Sequence, residues 1–446
     1  MKKHHSNRSM FSGKLGFVLS AAGASVGLGN IWRFPYLAAK YGGGIFLLIY
    51  ILLALTFGYT MIVAETSLGR MTRKSPVGAY ASFTKSHTLK AGGWINAIIP
   101  ILIVPYYSVI GGWVIKYLFE YICGNGTKLA EDGYFSMFIS DGVSAEICFI
   151  VFALITLTII FAGVRNGIER VSKFMMPILV VLSVIIAIYS VTRPGALKGI
   201  QYFLVPNLEN FSWMTVVSAM GILVTFGSYM KKETSIEDST RNVEIFDTAI
   251  AIMAGLMIIP AVFAFSSGDP NTLQAGPSLM FITIPKVFAS MGLGTVVGIL
   301  FFVLVLFAAV TSSIALTESA VSTFEDELHW NRKKSTVVIG IIMLVLGTLS
   351  SLGYGPLDAV KILGMQFLDF FDFLTNSVMM PIAAIATCLL VSRVIGVDRI
   401  EEEMTQEGGT FRRKKIFVMM IKYLCPVFAA IILISSVMNA FGLISM

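Results

Sequence analysis

Long apolar stretches alternate with short polar connections along nearly the whole chain. A membrane-spanning helix needs about 20 mostly apolar residues to cross the hydrocarbon core of a bilayer, so each stretch of this length predicts one span. Eleven such stretches are present, at residues 14–37, 43–69, 95–122, 145–163, 170–191, 211–230, 245–266, 293–324, 336–352, 368–395 and 416–443. We number the predicted helices 1 to 11 in this order. The pattern predicts an all-α integral membrane protein.

Composition supports this interpretation and excludes other classes. The chain has 446 residues, of which 56% are hydrophobic and 13% charged, and its mean hydropathy is +0.81. Soluble domains carry about 25% charged residues. No long linker separates the apolar runs, so residues 1–446 are predicted to form a single transmembrane domain. The net charge of +7 lies on short polar segments, which predicts a topology signal rather than a surface that binds nucleic acid.

Cysteine and histidine are scattered, which argues against metal binding and catalysis. The four cysteines are far apart in sequence, and the four histidines lie outside the apolar cores. This pattern predicts neither a metal-ligand motif nor a disulfide framework. No span offers a histidine base for a serine nucleophile, and the phosphate-binding loop G-x-x-x-x-G-K-S/T is absent. We therefore expect neither an enzyme nor a phosphate-driven pump.

Basic residues between the spans predict the orientation of the chain. Basic clusters precede helix 1, follow helices 2, 4 and 8, and precede helix 11. All of them fall on one side if eleven helices alternate in direction, and the positive-inside rule makes this side cytoplasmic. The clusters contain Lys2, Lys3, Arg8, Arg70, Arg73, Lys74, Arg165, Arg170, Lys173, Arg332, Lys333, Lys334 and Arg412 to Lys415. We expect a multi-pass protein of the plasma membrane with a cytoplasmic N-terminus and an external C-terminus.

The first span contains a segment that makes a poor membrane helix. Residues 23–30 read GASVGLGN, and glycine destabilises a helix interior by about 1 kcal/mol relative to alanine. A broken helix is tolerated in a membrane only inside protein or along a cavity. There its free amides attract an anion, and its free carbonyls attract a cation. The segment therefore predicts a transporter site for a zwitterion and a hard cation, with tight packing through small residues as the alternative.

Adjacent hydroxyls in helix 8 point to the same chemistry. Thr311 and Ser312 lie in the stretch FAAVTSSIA, residues 307–315, one turn beyond Ala308. Hydroxyl and carbonyl oxygens are the ligands that a hard cation prefers, so the two hydroxyls are candidate sodium ligands. The alternative is that each hydroxyl bonds only to the carbonyl four residues earlier in its own helix.

Ionisable residues inside membrane spans are functional candidates by default. The residues to explain are Arg33, Glu65, Asp247 and Asp372. The direction of their helices places Arg33 and Asp372 towards the external side, where an ion pair would close a vestibule over a bound substrate. We predict this pair as a gate, and the alternative for each residue is a position at the membrane surface.

Helix 5 starts with a second irregular segment, which contains Gly167 and Pro177. Proline removes a backbone hydrogen bond to residue 173, and glycine lowers the helical propensity upstream. The cytoplasmic end of helix 5 is therefore predicted to unwind, which would hydrate the site from the inside. The ordinary chemistry of a helix start is the alternative.

Several motifs in combination resemble the neurotransmitter:sodium symporter family. The family's first-helix signature is similar to AAGASVGLGNIWRFPYLAAKYGGGIFLLIY, the end of its second helix to ETSLGR, and its third helix to YYSVIGGW. Its fourth-to-fifth loop is similar to GVRNGIER, and its eighth helix to FAAVTSSIALTESAVSTFEDEL. The resemblance implies a LeuT-like fold with two inverted repeats of five helices, residues 1–191 and 211–395, and an extra helix at 416–443.

The resemblance implies two sodium sites, both built from oxygens around the broken helix 1. The first site would use three carbonyls and two hydroxyls, those of Gly23, Val26, Ala308, Thr311 and Ser312. The second site would use the Ser25 carbonyl, the Asn30 side chain and Asp247.

The resemblance also implies where the substrate binds. Its carboxylate would meet the amides of Leu28 and Gly29 and the hydroxyl of Tyr107. Its ammonium would meet the Ser25 carbonyl, and Ile103 would line the pocket for its side chain. The family's external gate pair matches Arg33 and Asp372.

Two departures from the family pattern matter. The position of Asp247 is usually asparagine, and animal members of the family use chloride to supply a negative charge near the sodium site. Because Asp247 can supply that charge covalently, we expect no chloride requirement. Helix 6 lacks the family's unwound segment, which would fall between Gly221 and Ile222, and is therefore predicted to be shortened.

Together these features predict a sodium-coupled symporter of neutral, hydrophobic L-amino acids that works by alternating access. The ions and the zwitterion would share one site and stabilise each other's binding. Because of the shortened helix 6, the alternative is a non-transporting amino-acid receptor or an inactive variant of the same fold. The expected partners are the amino acid, two sodium ions and the lipid bilayer, and nucleic acid is not expected. The oligomeric state stays open.

Overall fold

The structure is a computed structural model that describes residues 14–220, 236–266 and 277–443. Throughout these ranges the regular elements are helices. Nine of the described helices are long and apolar enough to cross a membrane: Gly44–Thr72, His87–Ile122, Gly142–Phe161, Val164–Val191, Ile236–Phe265, Gly294–Glu327, Arg332–Leu352, Phe367–Ile395 and Lys414–Ala440. They correspond to predicted helices 2 to 5 and 7 to 11. This architecture confirms the predicted all-α membrane fold, while the count of eleven spans stays a prediction.

Helix 1 differs from these nine helices because it is interrupted. Its first half is Lys14–Ser25. After a bend at residues 26 and 27, the chain continues as a wide π turn, Gly29–Arg33, and a final segment, Phe34–Lys40. Wide turns of this kind are frequent at functional sites. The interruption lies inside the predicted weak segment, residues 23–30.

Only the first part of helix 6 lies within the described residues, as the helix Trp213–Met220. Its Thr215 hydroxyl donates a hydrogen bond of 3.2 Å to the Tyr41 carbonyl, just after the end of helix 1. This bond joins helix 6 to the end of helix 1. By the resemblance, these are the first helices of the two repeats. The predicted shortening between Gly221 and Ile222 lies outside the described residues.

Several helices begin earlier than the hydropathy predicts. Helix 3 begins at His87 instead of 95, helix 5 at Val164 instead of 170 and helix 9 at Arg332 instead of 336. The described part of helix 7 begins at Ile236 instead of 245. The additional turns carry polar residues, which a hydropathy criterion excludes from a span. Packing keeps them helical. In helix 7, for example, the buried Glu237 accepts a hydrogen bond of 2.6 Å from the Tyr59 hydroxyl.

The first half of helix 1 lies at the centre of the bundle, against helices 5, 7 and 8, while helix 3 packs along helices 4, 8 and 9. Small residues allow this close packing. A Cβ atom added to Gly112 of helix 3 would lie 2.6 Å from the Phe149 amide nitrogen of helix 4. The interrupted part of helix 1 is thereby enclosed by other helices, as an irregular membrane segment requires.

Ion pairs gather at one end of the bundle, which we call the basic end and define by Arg70 and Arg332. Arg70 Nε lies 2.5 Å from a carboxylate oxygen of Glu403, and both side chains are almost fully buried. Glu403 belongs to the short helix Val397–Thr405, between helices 10 and 11. Arg332 lies 2.5 Å from Glu318 of helix 8. Because breaking a buried pair leaves an uncompensated charge, these pairs fix the connecting segments in place.

Two long loops cover the opposite end. One contains the helices Gly126–Leu129 and Tyr134–Ser140, and the other the helical segment Leu279–Ala289. An ion pair between Asp132 and Lys286 joins the loops. The lysine lowers the pKa of the exposed Asp132 carboxyl through its hydrogen bond and its positive charge. An exposed pair of this kind adds little stability.

An aromatic cluster holds the two loops against helix 3. Phe281 stacks on Phe135 with ring centroids 5.1 Å apart and meets Trp113 edge to face at 5.8 Å. The Phe281 carbonyl accepts a hydrogen bond of 2.8 Å from the Tyr117 hydroxyl. All four side chains are buried, so their packing closes the bundle at the end opposite the basic end.

Candidate functional site

The interruption of helix 1 frees backbone amides in the middle of the bundle, and side chains take up two of them. The last regular bond of the first half is donated by the Val26 amide. The Gly27 amide donates to the Asn30 side-chain oxygen at 3.4 Å, and the Leu28 amide donates to the Tyr107 hydroxyl at 3.3 Å. Both distances exceed the usual length of about 2.9–3.0 Å. These weak bonds leave the amides available to a ligand oxygen.

Helix 8 brings hydroxyl oxygens to the broken end of the first half. Ser312 Oγ lies 3.2 Å from the Gly23 carbonyl oxygen and 3.1 Å from that of Val26. Thr311 Oγ1 lies 3.2 Å from the Ala308 carbonyl oxygen. The structure thus brings together all five residues implied for the first sodium site. A Cβ atom on Gly23 would lie 3.1 Å from Cβ of Thr311, so the glycine permits this close approach.

Hydrogen bonding within helix 8 was the alternative for these hydroxyls, and it applies to one of them. Thr311 Oγ1 lies 2.9 Å from the carbonyl oxygen of Phe307, four residues earlier in the same helix. The hydrogen bonds of Ser312 lead instead to carbonyls of helix 1. Ser312 is therefore the residue that ties helix 8 to the break.

This cluster holds more hydrogen-bond acceptors than donors. A hydroxyl group has a single proton, so Ser312 can satisfy only one of the carbonyls of Gly23 and Val26 at a time. A hard cation with carbonyl and hydroxyl ligands would neutralise this excess of oxygen atoms. Within the described ranges, no group of three or more His, Cys, Asp and Glu side chains could hold a metal ion. The neutral oxygens around Ser312 form a candidate sodium site because of their own number and chemistry.

A second polar cluster joins helix 1 to helix 7. Asn30 Nδ2 donates to Asp247 Oδ1 at 2.9 Å, and the Tyr50 hydroxyl of helix 2 donates to Asp247 Oδ2 at 3.0 Å. Two of the residues implied for the second sodium site are thus in direct contact. The third, Ser25, ends the first half of helix 1, and its hydroxyl bonds within that half, to the Ala22 carbonyl at 3.1 Å. Tyr50 was not predicted as a site residue, although it is the last residue of the first-helix signature quoted above.

The residues implied for the substrate lie around the gap between the two halves of helix 1. Tyr107 contacts Leu28 through the hydrogen bond described above. Ile103 lies one helical turn earlier on helix 3, which places it on the same face, and it is buried. A Cβ atom on Gly29 would meet no atom of the described residues within 4 Å, so within this part of the chain open space borders the π turn.

A single glycine separates the candidate cation site from the candidate substrate site. A Cβ atom on Gly27 would lie 2.9 Å from Ser312 Oγ and 3.2 Å from the Tyr107 hydroxyl oxygen. The hydroxyl groups of Ser312 and Tyr107 thus both lie close to the same backbone position. A larger residue at position 27 would push at least one of them away.

The structure does not pair the two residues predicted as a gate. Among the described residues, no ion pair joins Arg33 to Asp372. Asn376 Nδ2 and the Tyr106 hydroxyl donate to Asp372 Oδ1 at 2.6 Å and 3.2 Å, whereas Arg33 is exposed. A carboxylate that two donors already satisfy gains less from an arginine. Tyr106 and Asn376 were not predicted as site residues. The position of Tyr106 directly before Tyr107 in the motif YYSVIGGW is the signal that could have identified the first of them.

Helix 5 begins as a wide helical turn rather than as an unwound segment. Val164–Glu169 forms a π turn that continues into Arg170–Val191, which contains Pro177. Gly167 packs against helix 4, because a Cβ atom there would lie 2.1 Å from the Ile159 carbonyl oxygen. This position therefore requires a glycine in the described conformation. The predicted unwinding would belong to another conformation of the chain.

The sequence matches the model of a known family over almost its whole length. The match covers residues 8–127 and 136–443, and the model is described as the sodium:neurotransmitter symporter family. This chain belongs to that family. It is a sodium-dependent transporter and a multi-pass membrane protein.

Individual relatives agree with this assignment. The chain is 33% identical to YhdH of Bacillus subtilis (strain 168), an uncharacterized sodium-dependent transporter, over 98% of each chain. It is 30% identical to an uncharacterized sodium-dependent transporter of Haemophilus influenzae, over 98% of this chain and 100% of the relative. Among solved structures, MhsT in complex with L-phenylalanine is similar, with 33% identity and a TM-score of 0.85. That match covers 96% of this chain and 100% of MhsT, and it confirms the LeuT-like fold.

Proposed function

We propose that this chain is a sodium-coupled symporter of neutral, hydrophobic L-amino acids that works by alternating access. One observation carries the proposal, the convergence of two kinds of partner at the break in helix 1. Ser312 reaches the carbonyls of Gly23 and Val26, while Tyr107 reaches the Leu28 amide. Free carbonyls attract a cation and free helix-start amides attract an anion, so the break suits sodium and an amino-acid carboxylate together.

The preference for hydrophobic side chains has two supports. The side chain that lies one turn from Tyr107, Ile103, is apolar and buried. MhsT, whose structure holds L-phenylalanine, is 33% identical to this chain over nearly the whole length. A buried apolar pocket favours an apolar side chain by removing it from water.

The proposed coupling involves two sodium ions. The first would bind to Gly23, Val26, Ala308, Thr311 and Ser312, and the second to Ser25, Asn30 and Asp247. The carboxylate of Asp247 supplies a fixed negative charge, so chloride is not needed. The cations and the substrate bind to adjacent residues of one break, and each therefore stabilises the arrangement that the other requires.

The proposed cycle uses the remaining predicted features. The basic end would face the cytoplasm, and the C-terminus would lie outside. Arg33 and Asp372 would come together as a gate in a conformation that closes the external side over the substrate. Unwinding between Gly167 and Pro177 would open the path from the first sodium site to the cytoplasm. Helices 1, 5 and 6 would move relative to the rest of the two inverted repeats, residues 1–191 and 211–395.

Uptake into proteoliposomes tests this function. An inward sodium gradient should drive the accumulation of tritiated L-phenylalanine, and replacement of sodium by choline should abolish it. Sodium-dependent binding without accumulation would support the receptor alternative instead. Absence of both binding and accumulation in folded protein would support the inactive variant.

A further inference from the structure

Three sulfur atoms from three different helices meet in the apolar interior of the bundle. They belong to Met61 of helix 2, Cys388 of helix 10 and Cys425 of helix 11. The Cys388 thiol donates a hydrogen bond of 3.9 Å to Met61 Sδ, and the Cys425 thiol is in hydrogen-bonding contact with the Cys388 thiol. We call these three residues the sulfur cluster. None of them is assigned above to sodium, substrate or gate.

The sulfur cluster is fully enclosed by protein. Met61 is 1% exposed and both cysteines are 0% exposed, and both thiols are free. An aromatic contact fixes two of the three helices beside the cluster. Phe57 of helix 2 packs against Phe428 of helix 11 with ring centroids 6.2 Å apart. These rings lie about one turn from Met61 and Cys425, so the contact holds the two sulfur-bearing segments together.

The spacing of the sulfur atoms matches that of ligands to one metal ion. Thiolate and thioether sulfur are the ligands that soft metal ions prefer. Two sulfur ligands of one ion lie about 4.0 Å apart when each metal–sulfur bond is about 2.3 Å long and the angle between the bonds is about 120°. The distance of 3.9 Å between Cys388 Sγ and Met61 Sδ agrees with this value. An ion could therefore bind to both atoms with little movement of the helices.

Charge balance in the apolar interior selects a divalent ion. A bound cation displaces one proton from each of the two thiols, and both protons leave to the solvent. A divalent cation with two thiolates and one thioether then has no net charge, whereas a monovalent cation would leave one negative charge. A buried net charge is strongly disfavoured. The cluster therefore suits an ion of the zinc group, whose filled d shell imposes no geometry of its own.

We propose that the sulfur cluster is a binding site for a divalent cation of the class of Zn²⁺ and Cd²⁺. The ion would join helix 2 to helices 10 and 11 through three metal–sulfur bonds. The three ligands come from distant parts of the chain, so the ion binds to the folded state and stabilises it as its concentration rises. The proposal does not depend on which substrate is transported.

Titration of the purified full chain with Cd²⁺ tests the proposal, in a phosphine reductant that keeps the thiols reduced. The ultraviolet charge-transfer absorption of thiolate-bound cadmium reports binding, and thermal unfolding in detergent reports stability. We expect one tightly bound Cd²⁺ per chain and a melting temperature that rises with the Cd²⁺ concentration. The double variant Cys123→Ala/Cys148→Ala removes the other two thiols and should leave both results unchanged.

Substitutions within the cluster should remove or weaken this binding. Cys388→Ala and Cys425→Ala each remove a thiolate and should each abolish tight binding. Met61→Leu conserves volume and removes only the thioether. Even residues that merely support a metal ligand contribute about 10–100-fold to affinity, so the loss of this ligand should weaken Cd²⁺ binding at least about tenfold. Met343→Leu, at a buried methionine of helix 9 outside the cluster, is the matched control and should bind as the wild type does.

Three outcomes overturn the proposal. The first is a wild-type chain without tight Cd²⁺ binding. The second is tight binding that persists in Cys388→Ala or Cys425→Ala. The third is equal affinity of Met61→Leu and Met343→Leu, which would show that Met61 only fills space among the packed side chains. The two methionine variants decide the question if the cysteine variants fail to fold.

Discussion

The side-chain amide of Asn30 donates a hydrogen bond of 2.9 Å to the carboxylate of Asp247, which lies 217 residues later in the chain. The other carboxylate oxygen of Asp247 accepts a hydrogen bond of 3.0 Å from Tyr50. These contacts hold a carboxylate beside the interrupted part of helix 1, at a position where the family usually has asparagine. The geometry motivates the expectation that the protein supplies its own negative charge.

Transport should therefore not depend on chloride. Replacement of chloride by gluconate should leave the initial rate of sodium-driven uptake within about twofold of the rate in chloride. The reason is that the negative charge near the cation belongs to the Asp247 side chain. Asp247→Asn should lower the apparent sodium affinity at least about tenfold, since hydrogen bonds and contacts to a charged group are worth about 1.5–3 kcal/mol.

Tyr50→Phe is the matched control for this prediction, because it removes one hydrogen bond and keeps the carboxylate. It should lower the sodium affinity less than Asp247→Asn does. A large loss of uptake by the wild-type chain in gluconate would contradict the assignment of this role to Asp247.

The hydroxyls of helix 8 should determine sodium affinity. Thr311→Val/Ser312→Ala removes two oxygens with little change in volume, and the apparent dissociation constant of sodium should rise at least about tenfold. Sodium titration of tritiated amino-acid binding measures it. Ser322→Ala/Thr323→Val, whose hydroxyls bond within helix 8, should leave the titration unchanged. An unchanged sodium dependence in Thr311→Val/Ser312→Ala would show that these hydroxyls do not bind sodium.

Two adjacent tyrosines should have different roles. Tyr107→Phe removes the hydroxyl beside the Leu28 amide and should weaken amino-acid binding about tenfold, because a charged ligand loses a hydrogen bond. Tyr106→Phe removes a hydrogen bond to Asp372 and should change the affinity by less than about twofold. Equilibrium binding in saturating sodium measures both. Equal effects of the two substitutions would argue against the placement of the substrate carboxylate.

Helix 6 should limit the affinity for the amino acid. The resemblance implies a missing unwound segment after Gly221, which lies outside the described residues. Insertion of a family-like Gln-Ala-Phe-Phe-Thr-Leu-Ser-Leu-Ala-Met-Gly segment at this point should lower the dissociation constant, because it adds carbonyls and hydroxyls that face the ligands. If the chain already binds leucine or tryptophan as tightly as the insertion variant, then other residues form the break in helix 6.

The buried ion pair at the basic end should stabilise the fold. Arg70→Ala leaves Glu403 buried without its arginine and should cost about 3–5 kcal/mol, which would appear as a clear fall in the melting temperature in detergent. Lys116→Ala is the control, because it breaks a more exposed pair with Glu120, one turn away on helix 3, and should cost about 0.5 kcal/mol or less. Similar melting temperatures for the two variants would contradict the structural role of Arg70.

The sequence by itself determined the features that depend on a few neighbouring residues. Apolar length predicted the membrane spans, and the glycines of residues 23–30 predicted the interruption of helix 1. The adjacent hydroxyls of Thr311 and Ser312 predicted that helix 8 would face this interruption. Hydropathy and backbone propensity are properties of a single turn or a single span, so they can be read without knowing how the helices pack.

The tertiary structure decided which side chains meet. Arg70 pairs with Glu403, 333 residues away, and Asp372 is held by Tyr106 and Asn376 rather than by Arg33. The Ser312 hydroxyl bonds to carbonyls of helix 1, whereas the hydroxyl of its neighbour Thr311 bonds within helix 8. Such choices depend on the crossing points of packed helices, where one small residue sets the distance between two backbones. No local pattern encodes that distance, because it arises from all the helices that enclose the site.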